Sequence, residues 1–296
     1  MAGAPAALRA ALEGRPIERP LRAPLLAALA AEVEELDLRE FLADAGKRSR
    51  ILAGLAQSMG VDVLVLDSGS GWDAESSGFV TDWAAGYPPA LAGTLSGVEL
   101  RFDPARGGAP VILDLLQRVR AVVPDAVSLA VTLVGPRMLV AAGSDALGLP
   151  AATQLVLAAA RAVAEAGSGV VIVREDGGAE VDDAAYAAAT APLWRSLQFF
   201  RSAGVLQVSG AADGWAGVLA GAGPFLPVFN ARESPGAAAA VAGAGRPYGL
   251  ALPTDVVASP VGPLATERCA LLTHDRDLAG EVPVRDVAGV AAAMTI

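Results

Sequence analysis

The stretch Val61-Asp62-Val63-Leu64-Val65-Leu66 is a short, largely β-branched apolar run, and Asp67-Ser68-Gly69-Ser70-Gly71 ends it. Such a run is typical of a buried strand, and the polar and glycine residues after it are typical of a loop. The same pattern, followed each time by an Ala-rich stretch with helical spacing, occurs eight times along the 296 residues. Eight strand-then-helix units in a chain of this length predict an α/β fold, the (β/α)8 TIM barrel.

The other strands are predicted from the same pattern. The first is expected within residues 23–30, although residues 25–36 also have the spacing of a helix. The remaining six are expected at 127–134, 169–173, 204–210, 225–229, 248–252 and 269–273. Helices are expected at 5–12, 38–59, 111–122, 151–165, 183–202 and 284–294.

The predicted organisation is a single barrel domain over residues 1–296. Residues 1–22 form an N-terminal helical extension that we expect to cover the floor of the barrel. Residues 72–109 are an insertion without the strand-then-helix pattern. An insertion of this length in a compact barrel is usually an active-site loop or a lid.

Composition excludes several classes of function. The net charge is −10 and hydrophobic residues make up 53% of the chain, so neither nucleic acid nor an anionic membrane surface is an expected partner. Lys47, the only lysine, lies in a polar segment rather than at a strand end, which argues against Schiff-base chemistry. One cysteine, Cys269, allows no internal disulfide, and no signal or membrane-spanning segment is evident, so a cytoplasmic location is expected.

Polar side chains follow most of the predicted strands, on a chain that is otherwise strongly apolar. Because a TIM barrel places its chemistry at the carboxyl ends of the strands, these residues are expected to surround a site for a small molecule. Loops are polar in any case, and this alone would explain about half of the set. The set comprises Asp67, Ser68, Arg137, Arg174, Glu175, Asp176, Gln207, Ser209, Asn230, Arg232, Glu233, Asp255, His274, Asp275 and Arg276.

His274 is the only histidine, and it stands beside Asp275 just after the last predicted strand. An imidazole whose tautomer is fixed by a carboxylate can act as a general acid or base. The alternative is a surface histidine in a turn. Cys269, at the start of the same strand, is expected to be a small core residue.

Neither a metal nor a cofactor is predicted. One His and one Cys cannot form the usual zinc-binding sets, and nothing in the spacing of Asp67, Glu175 and Asp176 demands magnesium. Residues 69–74 match the loose dinucleotide pattern G-x-G-x-x-A after a strand. We expect a flexible substrate loop there instead, because the residues that follow are not predicted to open a helix that could hold a pyrophosphate.

Several segments resemble the uroporphyrinogen decarboxylase superfamily, which includes zinc-dependent corrinoid and coenzyme M methyltransferases. The segments are Ala11-Leu12-Glu13-Gly14-Arg15-Pro16-Ile17-Glu18-Arg19-Pro20, Gly60-Val61-Asp62-Val63-Leu64-Val65, Gly135-Pro136-Arg137-Met138-Leu139 and the unit around residues 193–210. They occur in the order found in the family and cover most of the chain. The resemblance implies a barrel fold, and assembly as a homodimer is one option.

The departures from the family pattern bear on function. Where the methyltransferases carry His-x-Cys, this chain has Gln207 and Ser209, and neutral amide and hydroxyl groups cannot replace imidazole and thiolate on zinc. The catalytic aspartate of the decarboxylase falls near Gly69, two residues after Asp67, and the Arg-rich substrate loop of that enzyme is not recognisable. The resemblance therefore implies a metal-independent enzyme with its own pocket.

Three functions are compatible with these observations. The first is a carbon–carbon lyase, a decarboxylase of a carboxylated small molecule, in which Arg137 or Arg174 pairs with the carboxylate. The second is a methyl or other group transferase without zinc, and the third is a non-catalytic binding protein. The catalytic candidates are Asp67, His274 and Asp275; the substrate-binding candidates are Ser68, Arg137, Arg174, Glu175, Gln207, Ser209, Asn230 and Asp255.

Overall fold

The computed structural model describes residues 4–15, 17–84, 86–143, 147–177, 182–221, 223–252 and 268–274. Its strands are β1 (Leu21–Arg22), β2 (Val63–Val65), β3 (Phe79–Asp82), β4 (Ala90–Thr94), β5 (Ser128–Val134), β6 (Val170–Asp176), β7 (Ala203–Ser209), β8 (Leu226–Phe229), β9 (Tyr248–Leu252) and β10 (Cys269–His274). Eight of them form one parallel sheet in the order β1-β10-β9-β8-β7-β6-β5-β2, which confirms the predicted barrel.

The helices are α1 (Ala4–Leu12), α2 (Ala27–Val33), α3 (Leu38–Ala43), α4 (Ala45–Met59), α5 (Trp72–Ser77), α6 (Ala109–Arg120), α7 (Pro136–Ala142), α8 (Leu149–Glu165), α9 (Asp183–Phe199), α10 (Ala216–Ala220) and α11 (Pro235–Gly243). Local sequence sets several of their ends. The Asp44 and Asp182 carboxylates accept backbone N–H groups in the first turns of α4 and α9, and Gly60 ends α4 in the left-handed conformation. Across the described segments, no helix combines the length and apolarity needed to cross a membrane.

The two ends of the sheet meet at Asp62. Its backbone N–H donates to the Arg22 carbonyl at 3.1 Å, and its carboxylate accepts the Arg22 N–H at 2.9 Å. The same carboxylate accepts both terminal nitrogens of Arg19 at 2.7 Å. Asp62 therefore joins β1 to the start of β2 and closes the ring.

Alternating side chains divide the core into two layers. One face of each strand fills the barrel with residues such as Ala130, Ile172 and Val205, and the other face packs against the helices. At the floor, Leu8 of α1 is fully buried against the interior layer, and Gly169 leaves room for Pro5. The N-terminal helix α1 therefore packs against the interior layer of the barrel.

Four sequence-based expectations need correction or fall outside the described residues. The first strand is Leu21–Arg22 and not within 23–30, where the helical spacing instead forms α2. The insertion at 72–109 begins with α5, so a helix does follow the glycine-rich pattern, and it continues as the antiparallel hairpin β3–β4. An unexpected helix, α7, follows β5 directly. The helix predicted at 284–294 lies outside the described residues.

Candidate active site

A cavity of about 160 Å³ lies at the carboxyl ends of β5, β6 and β7, between the barrel and the hairpin β3–β4. Its wall is largely apolar, and polar side chains from β5, β6 and β7 face it. The lining residues are Gly69, Gly71, Pro88, Pro89, Leu91, Thr132, Leu133, Val134, Met138, Arg174, Glu175, Asp176 and Ser209. The insertion at 72–109 therefore contributes Pro88, Pro89 and Leu91 to the wall of this cavity.

Arg174 is the cation on this wall, and its guanidinium is held in place. One terminal nitrogen donates to the Ser68 carbonyl at 2.7 Å, and the other donates to the Ser209 hydroxyl at 3.0 Å. Gly69 has a φ of 118°, and a Cβ there would lie 3.0 Å from the Arg174 guanidinium. Glycine at 69 thus permits the close approach of the loop to Arg174, and three predicted site residues, Ser68, Arg174 and Ser209, come together.

Asp67 is fully buried and organises the loop beside the cavity. Its carboxylate accepts the Gly69 and Ser70 N–H groups, each at 2.9 Å, and the Ser70 hydroxyl at 2.7 Å. Arg48 of α4, also buried, approaches it at 3.3 Å and donates to the carbonyls of Leu42 and Leu66. The sequence did not identify Arg48 as its partner. These contacts give Asp67 a positioning role in the loop that carries Ser68 and Gly69.

Glu175 lies one residue after Arg174, and its side chain contacts α7 and Tyr186. Its carboxylate accepts the N–H groups of Arg137 and Met138, in the first turn of α7, at 3.1 and 3.2 Å, and the Tyr186 hydroxyl at 3.1 Å. Burial raises the pKa of Glu175 to about 7, although these hydrogen bonds oppose the shift. The contacts position α7, and with it Met138, at the cavity. The part of Arg137 that contacts Glu175 is its backbone N–H.

Asp73 is a buried carboxyl group that sequence reasoning did not select. Its Oδ2 accepts the Val134 N–H at 2.9 Å, and burial raises its pKa to about 7. Next to it, the indole N–H of Trp72 donates to the Thr132 carbonyl at 3.1 Å. Together the two side chains attach α5 to the end of β5. The sequence contains an indication of this attachment, because Trp72 and Asp73 directly follow the glycine-rich loop at residues 69–71.

Gln207 and Asn230 are buried, and neither of them lines the cavity. The Gln207 amide donates to the His274 carbonyl at 3.1 Å, while the Asn230 side-chain oxygen accepts the Arg232 N–H at 3.1 Å. Three oxygens on inward-facing side chains have no hydrogen-bond partner within the described residues: Thr132 Oγ1, Gln207 Oε1 and Thr273 Oγ1. The barrel interior beneath the mouth therefore contains unsatisfied polar groups.

His274 lies on the outer face of β10. It is the register partner of Leu252, which packs in the layer between sheet and helices, and it is fully buried. Burial lowers its pKa to about 4, and neither ring nitrogen has a hydrogen-bond partner among the described residues. This position faces away from the interior of the barrel. Asp275 and Asp255 lie outside the described residues.

Two further expectations concern the last strand and a metal. Cys269 is buried, as expected, and burial raises the pKa of its thiol to about 12. The described segments contain no group of three or more His, Cys, Asp or Glu side chains that could hold a metal ion.

Solved structures resemble this fold. A methyltransferase from Methanosarcina mazei superimposes with a TM-score of 0.77 at 16% identity, over 99% of this chain and 98% of the other. A B12-independent methionine synthase from Shewanella sp. W3-18-1 gives a TM-score of 0.58 at 10% identity, over 88% of each chain. No family model matches the sequence, and no curated protein matches it. At these identities the likeness extends to the barrel fold alone.

Proposed function

We propose that this protein is a group-transfer enzyme of the methyltransferase type that binds a compact anionic substrate through Arg174. The observation that carries the proposal is the placement of Arg174, held by the Ser68 carbonyl and the Ser209 hydroxyl, on the wall of a mostly apolar cavity at the barrel mouth. Because guanidinium keeps its charge and presents planar donors, it suits a carboxylate or a similar anion.

The apolar part of the wall supports transfer of a small uncharged group. Pro88, Leu91 and Met138 face the cavity, so a methyl group bound there is kept from water while its acceptor is held by Arg174. The likeness to a methyltransferase and a methionine synthase favours this reaction type by analogy of fold. Asp67 is paired with Arg48, and Glu175 accepts hydrogen bonds from α7 and Tyr186, so neither of these two carboxylates is left to bind a cationic substrate.

A carbon–carbon lyase is the second candidate, because the same guanidinium would hold the carboxylate of a decarboxylase substrate. The size of the cavity limits either substrate. A cavity of about 160 Å³ is close to the roughly 150 Å³ cavity that holds a benzene molecule. A cavity of this size favours a substrate much smaller than a tetrapyrrole, and we propose one with about ten non-hydrogen atoms or fewer.

Calorimetric titration with a panel of short-chain carboxylates tests the binding step. We expect Arg174→Ala to weaken binding about tenfold or more, since a hydrogen bond to a charged group is lost. Arg195→Ala is the matched control, because Arg195 is exposed on α9. Equal affinity of the wild type and Arg174→Ala would refute the proposed site.

Mass spectrometry of reaction mixtures then separates the candidate functions. Gain of a methyl group by a bound carboxylate in the presence of a methyl donor supports the transferase. Release of carbon dioxide without a donor supports the lyase. Binding that depends on Arg174, with neither product formed, supports the third alternative, a binding protein without catalysis.

A further inference from the structure

The floor of the mouth cavity carries a polar group that the proposed anion site does not use. Thr132 lines the cavity, it is 2% exposed, and its hydroxyl oxygen has no hydrogen-bond partner in the described part of the chain. The residue lies within β5, where all the other residues except Ser128 are apolar. Buried hydroxyl groups are rarely left unsatisfied in native proteins, so a ligand or an ordered water is expected to complete this one.

Gln207 is a second unsatisfied group, in the same layer of the barrel interior but outside the cavity wall. Strand register pairs Thr132 with Ile172, and Ile172 with Val205, two residues before Gln207 on the same face of β7. In an eight-stranded barrel a layer advances by about one residue per strand, so Thr132 and Gln207 come from alternate strands of one layer. Gln207 is 1% exposed, and its Oε1, which can only accept, lacks a donor among the described residues.

Arg174 lies one layer nearer the mouth. It follows Ile172 on the same inward face of β6 and lines the same cavity as Thr132. A bound molecule would therefore contact the Arg174 guanidinium near the mouth and the neutral Thr132 hydroxyl below it. An ammonium group is disfavoured at the lower position, because Asp67 and Glu175 already accept protein donors and Asp176, which also lines the cavity, lies beyond Arg174 at the end of β6. A hydroxyl group can donate to the Thr132 oxygen and needs no countercharge.

We infer that the substrate is a compact hydroxycarboxylate, whose carboxylate binds Arg174 and whose hydroxyl group binds Thr132. This inference rests on the proposed function, from which it takes the anion site, and it names the substrate class. The two groups must be separated by only a few bonds, because Arg174 and Thr132 lie in adjacent layers of the barrel.

The test compares butyrate with 2-hydroxybutyrate, 3-hydroxybutyrate and 3-aminobutyrate by calorimetric titration. We expect at least one hydroxy acid to bind the wild type about tenfold tighter than butyrate, because a site built around a hydroxyl group rejects the analogue that lacks it. Thr132→Val should abolish this preference, so that butyrate and the hydroxy acid bind this variant about equally. Thr132→Ser, which keeps the hydroxyl group, should retain it.

Thr153→Val is the matched control. Thr153 is buried on α8, where its hydroxyl donates to the Leu149 carbonyl, so this variant should keep the preference for the hydroxy acid. Equal binding of butyrate and both hydroxy acids to the wild type would overturn the inference, as would a preference that survives in Thr132→Val. Tighter binding of 3-aminobutyrate than of either hydroxy acid would overturn the assignment of a hydroxyl group.

Failure of the proposed function gives a different result. In that case every acid binds Arg174→Ala as tightly as the wild type, whatever its substituent. Circular dichroism of Thr132→Val confirms that the variant is folded before its affinity is interpreted. We expect it to fold, because valine has nearly the shape of threonine and suits the interior of a strand.

Discussion

Two buried carboxyl groups, Glu175 and Asp73, hold the segment that runs from the end of β5 into α7. Glu175 receives three hydrogen bonds that position α7, and Asp73 receives the Val134 N–H at the end of β5. Burial raises the pKa of each to about 7, above the ordinary values of 4.5 and 3.8. Folding therefore makes both groups easier to protonate. Their contribution to stability is complete below the pKa of the unfolded chain and is lost as the pH rises through the folded pKa.

We expect the free energy of unfolding to fall between about pH 4.5 and pH 7, and Glu175→Gln to reduce this slope. The titration of one such group changes the free energy of unfolding by up to about 1.4 kcal/mol per pH unit. Glutamine keeps the carbonyl oxygen as an acceptor but does not titrate. Urea denaturation of both proteins at several pH values between about 5 and 8 measures the slope. Glu165→Gln, at an exposed position on α8, is the control and should leave it unchanged. An identical slope in Glu175→Gln and the wild type would contradict the expectation.

At the level of the element, sequence patterns located the strands well where the runs are long and apolar. The predictions for β5, β7, β8, β9 and β10 differ from the structure by at most one residue at either end. Strand β1 has two residues, too few for a pattern, and the helical spacing after it hid the boundary. Strand β4 contains small residues and Gly93, so nothing in its composition marked the hairpin.

The residues of the candidate site also divide into those that a sequence pattern predicted and those that it did not. Arg174, Ser68 and Ser209 were predicted because residues at strand ends meet at the mouth, a rule that needs only the order of the elements. Arg48 and Thr132 were missed because their roles depend on tertiary neighbours. The pairing of Arg48 with Asp67 spans 19 residues and a turn of the chain, and the unsatisfied hydroxyl of Thr132 follows only from which face of β5 points inward.

The hairpin β3–β4 is expected to act as a cover for the site and not as part of the barrel. Its strands form a separate sheet, and Pro88, Pro89 and Leu91 contribute to the cavity wall. Thr81 and Leu91 are cross-strand partners, so an Asn-Gly turn can join them in place of residues 82–90. We expect this variant to keep the thermal midpoint within a few degrees and to lose about tenfold in carboxylate affinity, because water weakens the charge pairing at Arg174.

Thermal denaturation and calorimetric titration measure the two effects on the same samples. Leu95→Ala is the control, since Leu95 is exposed just after β4 and lies outside the cavity wall. An affinity equal to that of the wild type after removal of the tip would show that the hairpin does not cover the site.

At the scale of the whole molecule, the integrity of the barrel depends on its narrowest seam. Neighbouring strands elsewhere in the ring pair over two to seven register positions, whereas β1 meets the chain before β2 mainly at Asp62, with one further hydrogen bond from the Arg22 guanidinium to the Gly60 carbonyl. The Asp62 side chain is half-buried. Burial opposes its ionisation, but the hydrogen bonds from Arg19 and Arg22 outweigh this effect and lower its pKa. Its stabilising contribution is thus present above the ordinary value of 3.8 and is lost as the pH falls through the lowered pKa.

We expect Asp62→Ala to destabilise the protein by about 1–2 kcal/mol, because one side chain that accepts three charged or backbone donors is removed while the backbone bonds remain. This loss of stability should be largest near Asp62. Hydrogen exchange should accelerate first in β1 and α1, since α1 packs on the floor next to the seam, and later in β6 and β7 at the opposite side of the ring. Asp114→Ala removes an exposed ion pair with Arg118 and should cost less than about 0.5 kcal/mol. Unchanged exchange in β1 would mean that the buried interior, and not Asp62, holds the two ends of the sheet together.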